Sequence, residues 1–64
     1  RSCCFDPGEL VEFEGTELFV ISGEVILDDE RFSSESWIRI PRATSELLDF
    51  ESPTQLWVKD RHLP

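Results

Sequence analysis

The sequence predicts an all-β domain. Three observations carry that prediction. The apolar residues fall in short bursts rather than at the three- and four-residue spacing of an amphipathic helix. Turn-forming Pro, Gly, Asp and Ser separate the bursts. Several bursts alternate apolar with polar residues, the two-residue period of a half-buried strand. With 64 residues and no internal repeat, low-complexity tract or linker, the chain is read as one domain, 1–64.

The elements follow in order. Ser2 to Phe5 is a short first strand, stopped by Asp6-Pro7-Gly8, where proline cannot donate to a ladder and glycine accepts positive φ. Leu10 to Phe13 alternates around Val11 and Glu12, and Glu14-Gly15 breaks it. Glu17 to Ile21 is the strongest strand. Its four consecutive apolar residues predict burial on both faces. Ser22-Gly23 reads as a tight turn that returns Glu24 to Leu27 in a hairpin with that strand. Asp28-Asp29-Glu30 is a charged hairpin tip, Arg31-Phe32 a brief strand, and Ser33-Ser34-Glu35 a second turn. In Ser36 to Ile40, Ile38 and Ile40 share one face, and Trp37 and Arg39 the other.

Pro41 ends that strand and Arg42-Ala43-Thr44 is a loop. Glu46 to Phe50 fits a strand better than a single helical turn in this context. Ser52-Pro53 turns the chain into Thr54 to Lys59, with either Leu56 and Val58 or Trp57 facing inward. Asp60 to Pro64 is a polar tail, and the lone histidine, His62, is expected there as an exposed residue. Trp37 and Trp57 are expected in the core, because each can bury a large apolar area. Strands at this spacing point to a sandwich or barrel.

Bulk properties narrow the function classes. So short a chain buries only about 60% of its unfolded surface, and domains of this size commonly add a disulfide, a metal or a partner surface. The two cysteines, Cys3 and Cys4, are adjacent. Neighbouring Cα atoms lie about 3.8 Å apart, while disulfides prefer roughly 4.4–6.8 Å. Both are therefore read as small apolar strand residues, and a reducing, cytoplasmic setting is expected. The net charge of -8 opposes binding to nucleic acid and to anionic membrane surfaces. No apolar run approaches the roughly 20 residues that span a bilayer. The start at Arg1 suggests a fragment.

The order of signals resembles a known family. Gly15-Thr16-Glu17-Leu18-Phe19-Val20-Ile21-Ser22-Gly23 resembles the first motif of cupins, more narrowly of the ChrR-like cupin domains. There, an acidic residue opens an apolar strand that ends in a glycine turn. Asp28 to Phe32 resembles the acidic turn followed by an aromatic. Ser36 to Pro41 resembles the strand entering the second motif, Leu56 to Lys59 the closing strand, and Phe5-Asp6-Pro7-Gly8 the turn before the first motif. The resemblance runs from Phe5 to Lys59 and implies a cupin double-stranded β-helix, a jelly-roll barrel, here small or partial. It also admits a fragment or one half of a duplicated cupin.

The chain departs from that family at the metal site. Family members that bind metal carry a His-x-His pair before the first-motif glutamate and another histidine in the second motif. Here Glu17 matches the glutamate, no His-x-His precedes it, the segment from Gly8 to Glu17 is shorter, and Glu46 stands at the last histidine. A site of Glu12, Glu17 and Glu46 would be all oxygen and would favour Mg²⁺, Ca²⁺ or Mn²⁺ over zinc. Without a cation, its carboxylates would repel and raise one another's pKa.

Other chemistry is thin. No Gly-x-Ser-x-Gly elbow is present, and Asp28-Asp29-Glu30 lacks the spacing of a calcium loop. Two readings result. One is a non-catalytic cupin module with a structural, dimerisation or ligand-sensing role, without a cofactor, partnered by a second copy or a second cupin domain. The other is a metal-dependent cupin enzyme, a dioxygenase or isomerase, holding a divalent ion through Glu17 and Glu46. The resemblance also raises sigma-factor regulation. In that family sigma binding belongs to a separate helical, zinc-binding domain that these residues do not contain.

Overall fold

Eight strands form, and no helix forms among the described residues: β1 (Ser2–Phe5), β2 (Leu10–Glu14), β3 (Thr16–Ser22), β4 (Val25–Leu27), β5 (Glu30–Phe32), β6 (Trp37–Arg39), β7 (Ser45–Asp49) and β8 (Thr54–Asp60). The computed structural model describes residues 1–60. Of Asp60 only the backbone is described, and His62, with the rest of the expected polar tail, lies outside the described residues.

The strands make two antiparallel four-stranded sheets, in the orders β1-β8-β3-β6 and β2-β7-β4-β5. We call these the first and the second sheet. Their pairing is nested. β4 pairs with β5, β3 with β6, β2 with β7 and β1 with β8. The chain is thus one long hairpin whose successive strand pairs fall alternately into the second and the first sheet. Its tip is the two-residue turn Asp28-Asp29, with φ of 50° and 65°. Positive φ at both central residues is the conformation whose twist matches the flanking strands, and aspartate tolerates it better than most residues.

This topology corrects one expectation. Ser22-Gly23 does not return β3 into a hairpin with β4, because the two strands lie in opposite sheets. Gly23, with φ of 90°, carries the chain across the edge. A Cβ there would overlap the Pro53 carbonyl oxygen and lie 2.6 Å from Thr54 Oγ1. The crossover therefore runs hard against the start of β8. Thr54 is itself buried, and its hydroxyl donates to Ser52 O at 2.8 Å and lies 3.1 Å from Glu24 O.

The core lies between the sheets. Leu18, Val20, Ile38, Ile40, Leu56 and Val58 come from the first sheet or its immediate continuation, and Val25, Leu48 and Phe50 come from the second or its continuation. Phe5 stacks on Phe50 at 4.5 Å and meets Phe13 edge-on at 6.1 Å, which brings the β1 side of one sheet against the β2 side of the other.

The two-residue period decides which side chains enter. β3 buries Thr16, Leu18 and Val20 but not Glu17 or Phe19, so the expected burial on both its faces is replaced by burial on one. A bulge at Ile21, where the β3–β8 register shifts between Val20 and Ser22, leaves Ile21 exposed. In β8, Leu56 and Val58 point inward. Trp37 and Trp57 are not core residues: they are 62% and 46% exposed. Their alternation with Ile38 and with Leu56 and Val58 leaves them only the outer face. Cys3 and Cys4 are free thiols, Cys3 half-buried against the core and Cys4 exposed.

Candidate functional site

The acidic residues singled out from sequence do not meet. Glu12 pairs with Leu47 on the outer face of the second sheet. Glu46, two residues before buried Leu48 and opposite Phe13, lies on that sheet's inner face. Glu17 lies on the outer face of the first sheet, where its Oε1 is 3.8 Å from Lys59 Nζ. Three different surfaces thus carry the three carboxylates. No group of three or more His, Cys, Asp or Glu that could hold a metal ion occurs among the described residues.

At the opening of β3 the inward position belongs to Thr16, one residue before Glu17. Its hydroxyl is already engaged, donating to Lys59 O at 2.7 Å. The interior is otherwise apolar. Thr16 and Thr54 are the only buried polar residues among those described, and no buried side-chain oxygen or nitrogen there lacks a hydrogen-bond partner. An apolar interior whose buried polar side chains are all hydrogen-bonded supports packing.

Two surface features stand out instead. The first is an open cleft of about 420 Å³ between β1 and β2, with Cys3, Phe5, Val11 and Phe13 as its apolar wall and Arg1 and Thr16 among its polar lining. The Arg1 guanidinium donates to Cys3 Sγ at 3.3 Å.

The second is the outer face of the first sheet. Register places Trp37, Phe19, Trp57 and Ser2 in one row across β6, β3, β8 and β1. The Phe19 and Trp37 rings are 4.9 Å apart and tilted by 51°. The adjacent row is Arg39, Glu17 and Lys59. On the other side Ile21 is exposed, and Gln55 donates to Ser2 Oγ at 2.9 Å. This face therefore joins a band of aromatic surface to a row of two cations and one carboxylate. Reading the tryptophans as core hid it. The signal that could have found it is the shared parity of Phe19, Trp37 and Trp57 opposite Leu18, Ile38 and Leu56.

The outer face of the second sheet differs. Its exposed Leu10 and Leu47 sit among Glu12, Glu14 and Asp49. On the same face, in the row of Leu10, Asp49 and Ile26, Arg31 bridges Glu51 at 2.9 Å and Glu24 at 3.3 Å. The hydrogen bond that Arg31 donates to Glu51, followed by the charges of Glu51 and Glu24, raises the Arg31 pKa above its ordinary value.

Comparison of the chain with protein-family models, curated proteins and solved structures found no match.

Proposed function

We propose that this chain is a non-catalytic jelly-roll module of the cupin type, with a structural role in pairing with another such unit. The nested pairing in two four-stranded sheets supports the jelly-roll reading, since that fold sets eight strands in a double sheet built from two Greek keys. The observation that carries the non-catalytic reading is the separation of Glu12, Glu17 and Glu46 onto three surfaces, with Thr16 taking the inward position at the head of β3. General acid–base or metal chemistry needs its groups converging on one reacting atom. The metal-dependent alternative would need Glu17 and Glu46 to act together, and one faces out of the first sheet while the other faces in from the second.

The test is the metal content of the purified protein, measured by elemental mass spectrometry after dialysis against buffer containing zinc, iron or manganese. The expected result is far below one ion per chain for each metal. A stoichiometric, tightly held ion that Glu17→Ala or Glu46→Ala removes would overturn the reading.

A further inference from the structure

We propose that the outer face of the first sheet is a self-complementary interface through which two copies of this chain associate, face to face. The inference rests on the pairing role proposed above and names its surface and its partner.

The face has the composition of an interface centre. Trp37 at 62% exposure, Trp57 at 46% and Ile21 at 38% stand next to half-buried Phe19 on one pleated surface. Aromatic residues and arginine are enriched where proteins meet, and a lone soluble domain rarely keeps several large apolar side chains contiguous and wet.

Charge selects a second copy as the occupant. The whole chain carries -8, so two copies repel over most of their surfaces. On the outer face of the second sheet, Glu12, Glu14 and Asp49 surround the exposed leucines, and the cation on that face, Arg31, is already held by Glu24 and Glu51, so two such faces would oppose mostly like charges. The aromatic face instead carries Arg39 and Lys59 against Glu17. A two-fold contact brings each patch against itself, so it needs both signs on one patch. This patch has them, and it is mildly cationic on an otherwise acidic molecule.

Size sets the strength. Strands of four, seven, seven and three residues, at about 3.3 Å per residue and about 4.8 Å apart, offer roughly 330 Å² in projection, and more as accessible surface, because the side chains stand off the sheet. Two such faces together fall at or below the lower end of specific interfaces, about 1,200 Å². The contact is therefore a weak, reversible one.

The experiment is sedimentation velocity of the full chain across a concentration series, with the tryptophan emission maximum read on the same samples. A monomer–dimer equilibrium is expected, with emission moving to shorter wavelength as Trp37 and Trp57 become covered. Trp37→Glu and Arg39→Glu should each weaken association about tenfold or more. Leu47→Glu, on the opposite outer face, should leave it unchanged. Circular dichroism on each variant separates lost association from lost folding, and the wild-type emission shift needs no variant at all.

A monomer with unshifted emission at millimolar concentration would overturn the inference, including the case in which the exposed tryptophans serve another ligand. So would a dimer that Leu47→Glu dissolves and Trp37→Glu does not. Neither outcome touches the metal measurement, so the interface and the non-catalytic reading can fail separately.

Discussion

Gly8 and Gly23 form an internal control, because they share the same positive φ and differ in surroundings. Their φ values are 89° and 90°. A Cβ on Gly8 would meet nothing within 4 Å, whereas on Gly23 it would overlap the Pro53 carbonyl oxygen and press on Thr54. Gly→Ala at either position strains the backbone by about 1–3 kcal/mol. Part of that is offset by about 0.4–1 kcal/mol, because alanine restricts the unfolded chain. Gly8→Ala should therefore cost about 1 kcal/mol. Gly23→Ala carries the same cost and must also displace Thr54, a residue 3% exposed whose hydroxyl bonds to the Ser52 carbonyl and faces Glu24. Disturbing a buried hydroxyl and its partners adds about 1–3 kcal/mol. Gly23→Ala should then lose about 2–4 kcal/mol, a large part of the roughly 3–10 kcal/mol expected for a domain of this size. Urea denaturation followed by far-ultraviolet circular dichroism measures both, and the midpoints should differ by about 1 M or more. Equal midpoints would refute the argument that contact with β8, rather than φ alone, fixes glycine at this crossover.

Four further outcomes are expected. Phe50→Ala removes a fully buried ring stacked on Phe5, and should cost about 3–5 kcal/mol in the same assay. Thr16→Val keeps the shape but strips the Lys59 carbonyl of its donor, and should cost about 1 kcal/mol, read as a lower melting temperature. Replacing Asp28-Asp29 by Asn-Gly relieves positive φ at the hairpin tip and should stabilise by about 0.5–1 kcal/mol. Thiol labelling of the native protein should modify exposed Cys4 before half-buried Cys3, with both reacting in denaturant; slow labelling of both would contradict the assigned exposures.

The strands themselves were legible because two signals agree along most of the chain. Turn formers such as Asp6-Pro7-Gly8 and Pro41 mark the ends, and the two-residue period marks the faces. What was not legible is which sheet each strand joins. Gly23 looks like a hairpin glycine, but its conformation answers to Pro53 and Thr54, distant in sequence and adjacent only after folding. Bulk alone points the tryptophans inward, but parity overrides it. Ile38, Leu56 and Val58 already claim the inward positions of their strands, and a pleated strand has no third side. The same parity decides the carboxylates. Leu18 and Val20 send Glu17 outward, while Leu48 brings Glu46 in. A one-residue shift along a strand changes face entirely, so parity is what places each carboxylate.

Nested pairing also bears on how the chain finds its fold. Joining β1 to β8 directly would close a loop of nearly the whole sequence, the kind of contact that slows β proteins. Starting at Asp28-Asp29, each later strand pair meets with its partners already drawn together, so every closure spans a short segment. Assembly from the middle outward is therefore the expected route. Substitutions at the turn should then change the folding rate, and substitutions in β1 mainly the unfolding rate. Stopped-flow kinetics showing the opposite division would reverse the order. On the expected route the two ends of the chain join last, and the first sheet, with its aromatic outer face, is completed only when they do.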